Sequence, residues 1–203
     1  MTGFGLLLAW SAGPAAQPRG PRALDASAPI GTFIAAGDSR EGYRATDRQL
    51  AEWALEAWRS AAGSVLRLTP APEASARVRL YWAGPQSGQY GEMRALLVNG
   101  QRGAAVYIRP ETESLGPDIH ALALSDTLFR DTVVYLTCVH ELGHAFGLEH
   151  TADFRDIMYS FQHGGDFVEY FSRYRRRLKS RDDIAHVTGM SAGDVAKLKA
   201  LYP

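Results

Sequence analysis

A chain of 203 residues, 46% apolar and 22% charged, has enough length for one domain with a substantial core and an ordinary globular balance. Its formal net charge of zero removes the electrostatic footprint of nucleic-acid binding, so no nucleic-acid partner is expected. The single cysteine, Cys138, excludes an internal disulfide and a cysteine-rich structural zinc knuckle, and carries no information about redox compartment.

At the start of the chain, Phe4 to Trp10 is a short apolar run, followed by small residues in Ala12-Gly-Pro-Ala-Ala16. This is the pattern at the end of a secretory signal peptide, although the usual basic leader is missing. It points to a secreted or cell-envelope location. The run is too short to cross a bilayer, so no transmembrane segment is expected. Residues 1–28 are read as a signal remnant and a linker rich in Ala, Pro, Gly and Arg, and 29–203 as one folded domain.

Pro29 to Ala35 predicts a first strand, and Gly37-Asp38-Ser39 a turn. Thr46 to Ala62 predicts a helix. Thr46 and Gln49 form a capping-box pattern, and Leu50, Trp53, Ala54, Ala57, Trp58 and Ala61 recur at helical spacing. Arg77 to Trp82 alternates, with Val78, Leu80 and Trp82 on the buried face of a strand. Met93 to Val98 and Ala104 to Ile108 are two more strands, and Asn99-Gly100 between them predicts a hairpin. Pro110 and Gly116-Pro117 punctuate a loop. Asp131 or Thr132 is placed to cap a second long helix running to about Phe146. Residues 151–166 have no period. Phe167 to Lys179 predicts a helix with Phe167, Phe171, Tyr174 and Leu178 on one face, and Ser191 and Asp194 form a capping box before a C-terminal helix. There is no internal repeat. The order gives an α+β domain with a mixed sheet and long helices.

Chemistry concentrates in His140-Glu-Leu-Gly-His144-Ala-Phe-Gly147-Leu-Glu-His150. On a helix, residues four apart differ by about 40° in direction, so the rings of His140 and His144 can converge on one ion. Glu141 lies about 100° around from His140 and can flank that ion as a general base for its bound water. A continuing helix would turn His150 about 240° from His144 and away from the ion. Gly147 is placed to end the helix, because glycine accepts the left-handed conformation of a helix terminus. His150 can then return as third ligand. Three imidazoles favour one zinc ion and leave a fourth position open, as catalytic sites do.

This segment resembles the metzincin zinc signature. Met158, in Asp156-Ile-Met-Tyr-Ser160, resembles the methionine turn beneath the metal, and within the clan the run from His140 to Tyr159 is closest to the matrixins. Met190 to Tyr202 is similar to the last helix of matrixin catalytic domains. The resemblance implies a zincin-like fold: a twisted five-stranded mixed sheet with an antiparallel edge strand, two long helices and a C-terminal helix. It also implies that the edge strand, sought within 93–108, aligns an extended protein or peptide substrate.

The departures are specific. Residues 84–119 contain no histidine, so the matrixin structural zinc is not expected, and the sequence gives no support to calcium. Residues 1–28 do not match the family's cysteine-bearing inhibitory propeptide. Cys138 lies about 160° from His140 on the helix and is expected to face the core. Residues 161–189 form an extended insertion after the methionine turn, made basic by Arg173, Arg175, Arg176, Arg177, Lys179 and Arg181. That stretch is either a rim selecting anionic partners or a solvated helix face. His120, His163 and His186 are expected at the surface, while Tyr159 and Tyr170 are candidates to approach the oxyanion.

The expected protein is a monomeric zinc endopeptidase: zinc on His140, His144 and His150, and a zinc-bound water activated by Glu141. The alternatives are a zinc amide hydrolase acting on a non-protein or cell-wall peptide substrate, and a metal-stabilised binding module without turnover.

Overall fold

The computed structural model describes residues 23–84 and 90–203. The apolar run Phe4 to Trp10, and with it the signal-peptide reading, lies outside the described residues. The strands are β1 (Ile30–Ile34), β2 (Leu68–Pro70), β3 (Val78–Trp82), β4 (Gly91–Val98) and β5 (Gln101–Ile108). The helices are α1 (Asp47–Ala62), α2 (Pro117–Ser125), α3 (Thr127–Ala145), α4 (Phe167–Arg175) and α5 (Ala192–Leu201). The sheet runs β2-β1-β3-β5-β4, with every pairing parallel except the antiparallel edge pair β4–β5. This is the α+β architecture with a mixed five-stranded sheet and one antiparallel edge.

Alternation sets the core. Val78 and Leu80 of β3 and Ala104, Val106 and Ile108 of β5 are buried, together with Leu50, Ala54 and Trp58 of α1. Helix α3 packs against α1, β4 and β5, and almost every residue from Phe129 to Leu142 is buried. It is therefore a central helix, held on all sides. One tie to α1 is Trp58, whose indole N–H donates to Val139 O at 2.9 Å, satisfying a buried donor one residue before His140.

The β4–β5 turn is tighter than expected. Asn99 (φ 50°) and Gly100 (φ 76°) are both left-handed, as a two-residue type I′ turn requires, and Val98 pairs directly with Gln101. Residues 101–103 therefore belong to β5 and not to a loop.

Three local expectations are corrected. Thr46 makes no side-chain cap; its carbonyl and the Gln49 side chain instead accept from Arg181, so a partner distant in sequence replaces the capping box. Helix α3 starts earlier than Asp131 or Thr132. Asp126 caps it, accepting from Leu128 N at 3.0 Å and Phe129 N at 3.1 Å, while Asp131 lies inside the helix and pairs with Arg181. Helix α2 stands where a loop was read. Pro117 is its first residue, a position where the missing N–H costs nothing, and only Ile119 and Ala123 of its apolar residues are buried. With Leu124 72% exposed, α2 has no apolar stripe to read.

The end of the expected linker is docked. Leu24 is buried and its N–H donates to Tyr202 Oη at 3.0 Å, while Asp25 O accepts from Arg77 at 2.8 Å. Arg67 adds a third long-range bond, donating to Ser27 O at 3.0 Å, so a segment whose composition reads as unstructured is held by a buried leucine and three such bonds.

Candidate metal centre

His140 and His144 leave α3 one turn apart, with ring centroids 4.9 Å from each other. The helix stops at Gly147 (φ 100°). Gly147 N donates to His144 O at 3.0 Å and Leu148 N to Gly143 O at 2.9 Å, the paired bonds of a Schellman terminus. The same turn aims Leu148 O at His144 Nδ1, 2.9 Å away. The chain then brings His150 back, its Nε2 3.2 Å from His140 Nε2 and 3.1 Å from His144 Nε2. All three expected ligands thus meet at one point, the one group of three such side chains among the described residues that could hold a metal.

The donor chemistry fits zinc. His140 Nδ1 lies 2.7 Å from Ile157 O, and this carbonyl, like Leu148 O for His144, fixes the tautomer with its proton on Nδ1. Both Nε2 atoms therefore turn lone pairs towards His150 Nε2. A proton on His150 Nε2 could satisfy only one of those two contacts; a cation satisfies all three nitrogens. Tetrahedral ligands about 2.0–2.1 Å from one zinc stand about 3.3–3.4 Å apart, close to the separations here. Burial first, and then the other two imidazoles, hold His140 well below the usual histidine range. His150, exposed at the rim, is also pushed down, by desolvation first and then by His144 and His163. The rings of His140 and His150 are accordingly neutral at pH 7, as metal ligands must be.

Glu141 is 3% exposed. Burial pushes its carboxyl up to about 8, with the Glu92 carboxylate on β4 adding to the rise.

Met158 packs against α3 at Gly143. A Cβ on Gly143 would collide with Met158 Sδ and lie 3.0 Å from Trp58 Cζ2, so α3 needs a bare position between its two histidines. The methionine turn is pinned from both sides. Thr151 N donates to Met158 O at 2.8 Å, and the buried Asp194 carboxylate accepts from Ile157 N at 2.8 Å and from Ser191 N at 2.7 Å. The expected Ser191–Asp194 capping box is present, with Asp194 N donating to Ser191 Oγ at 3.0 Å. Sequence reading missed that one carboxylate both caps α5 and holds the backbone under the metal site. Asp156 adds a second tie, accepting from Ser191 Oγ at 2.6 Å and Lys197 Nζ at 2.8 Å.

The hydroxyls of Tyr159 and Tyr170, the two candidates to approach the oxyanion, are engaged by backbone carbonyls. Both are buried, and their hydroxyls donate to carbonyls: Tyr159 to Gly164 O at 2.8 Å, and Tyr170 to Ile157 O at 2.9 Å. A buried phenol usually finds such a partner. Tyr170 instead shares Ile157 O with His140 Nδ1, and so braces the carbonyl behind that ring. Cys138 is buried, as expected. His163 and His186 are exposed, while His120 is half-buried and its Nδ1 lies 3.2 Å from Thr112 Oγ1.

The basic stretch is neither a free rim nor a simple solvated face. Arg173 lies over the rings of Tyr170 and Phe154, at 4.4 and 4.9 Å. Arg175 pairs with Asp126 at 2.7 Å, Arg176 with Glu169 at 2.6 Å, and Arg181 with Asp131 at 2.8 Å. Arg181 also covers Trp53. These cations fasten the segment to α3, α1 and itself.

Among the described residues, no helix is long and apolar enough to cross a membrane. The matrixin family model matches residues 32–190, well over half of the chain. No curated protein matches it.

Proposed function

The chain belongs to the matrixin family, and so to the zinc-dependent metallopeptidases; from that premise we propose that His140, His144 and His150 hold its catalytic zinc and that Glu141 is the general base of peptide-bond hydrolysis. The observation that carries this reading is the approach of His150 Nε2 to the Nε2 atoms of His140 and His144, 3.2 and 3.1 Å away, with two carbonyls fixing the tautomers behind those rings. When bound, zinc supplies Lewis acidity and lowers the pKa of water towards about 7. Glu141 takes the proton of the water that attacks the scissile carbonyl and passes it to the amine that leaves as the C–N bond breaks. Ile157 O and Leu148 O keep the two α3 rings oriented throughout.

The substrate is a peptide laid along the outer edge of β4, which among the described residues pairs only with β5. Backbone pairing to that edge would align an extended chain across the site. On this reading 29–203 is the catalytic domain, 161–189 an insertion that braces it, and the location secreted or cell-envelope, the last resting on the sequence of residues 1–28.

Incubated with a mixed peptide pool, the zinc-loaded protein is expected to cut internal peptide bonds. A chelator should abolish cutting and added zinc should restore it. Zinc uptake with no cleavage in any pool would make the chain a metal-stabilised binding module, and cleavage confined to cell-wall peptides would make it an amide hydrolase of narrower range.

A further inference from the structure

The first residue of β4 lies against α3 at the position of Glu141. A Cβ built on Gly91 would stand 2.6 Å from Glu141 Oε1, 2.8 Å from Glu141 Cγ and 2.9 Å from Thr137 Cγ2, all closer than a real Cβ is found. Gly91 is not among the glycines with positive φ, so its backbone does not require glycine. What glycine provides there is room.

A side chain at 91 would have little freedom to relieve these contacts. The start of β4 is held by the Gly91–Ile108 pairing and by Arg109 N, which donates to Tyr90 O at 2.9 Å; Ile108 and Tyr90 are both buried. Thr137 is fixed as well, because it is β-branched and its hydroxyl donates to Val133 O at 2.8 Å. The group left to yield is the Glu141 side chain. None of the three nearest atoms belongs to a histidine, so the metal ligands are not pressed in the same way.

We propose that Gly91 is a positioning residue for Glu141: its bare Cα leaves the space in which the general base is held between the edge strand and the helix that carries the metal ligands. This rests on the reading of Glu141 as the base.

The test is a double-mutant cycle of Gly91→Ala and Glu141→Gln in the zinc-loaded full chain, assayed with a fluorogenic peptide. Gly91→Ala alone is expected to lower kcat about 10- to 100-fold, the effect of misplacing a reacting group by about an ångström, with KM and zinc content unchanged. In the Glu141→Gln background the same change should cost less than about twofold, because no base remains to be displaced. An equal loss in both backgrounds, a rise in KM with kcat intact, or loss of zinc or of folding in Gly91→Ala would overturn the inference. Wild-type kcat in Gly91→Ala beside an inactive Glu141→Gln would overturn it alone, whereas full turnover in Glu141→Gln would remove the reading beneath it.

Discussion

Glu141→Gln is expected to lower kcat by about 10³- to 10⁴-fold while the protein keeps its zinc, the upper range for loss of a general acid–base group. Glutamine matches glutamate in size and fills the same space beside Gly91 and Thr137, so packing of the buried side chain is conserved. It cannot accept a proton. The residue is not one of the three converging imidazoles, so metal content measured by elemental analysis should match wild type. Steady-state kinetics on the same samples read the effect, and turnover within tenfold of wild type in a clean preparation would refute the role of Glu141.

The largest expected loss of stability lies elsewhere. Arg130 is 3% exposed and Asp47 is 0% exposed, and both terminal guanidinium nitrogens of Arg130 bond the Asp47 carboxylate. Arg130 Nη2 also donates to Gly42 O at 3.1 Å and Pro110 O at 2.9 Å, while Asp47 accepts from Arg44 N at 2.8 Å. The cluster joins α3 to the start of α1 and to the segment after β5. Arg130→Ala would leave a buried carboxylate without its cation and two carbonyls without their donor. Such a change costs about 3–5 kcal/mol, which for a chain of this length is about 10 °C in Tm. Replacing both partners by apolar residues of similar volume, Asp47→Leu with Arg130→Met, should cost less than Arg130→Ala alone. Calorimetry on both variants checks the order, and a single mutant less destabilised than the double would contradict it.

The convergence of the three histidines was legible because its determinants are local. Two histidines four apart, a glycine that ends the helix and a third histidine after it define a geometry that needs no knowledge of the rest of the fold. The hairpin was legible for the same reason, since Asn99-Gly100 encodes its own turn. The supports of the site were not. Asp194 reaches Ile157 across 37 residues, and Asp47 reaches Arg130 across 83, distances at which no spacing rule applies. Thr46 and Gln49 had the right pattern for a cap and lost it to Arg181, a competitor supplied by tertiary structure. Helix α2 escaped because its exposed Leu124 breaks the amphipathic period on which helix recognition depends. The antiparallel edge of the sheet came from the family resemblance and not from periodicity, and the order of the strands was not read from the sequence.

The arginines of 173–181 carry a related lesson. As a sequence they form a basic patch. In the fold, Arg175, Arg176 and Arg181 have carboxylate partners and Arg173 rests on two rings. Net local charge was readable, but whether that charge faced a ligand or a neighbour was not.

The central claim is that three imidazoles share one cation. Zinc affinity of the wild-type chain and of His150→Ala, measured by competition with a chromogenic chelator, tests it most directly. One zinc per chain in the wild type, bound at least about 100-fold more weakly in the variant, is the predicted result, since loss of a direct ligand should exceed the 10- to 100-fold effect of losing an outer-shell partner. Zinc held as tightly by His150→Ala as by the wild type would contradict it.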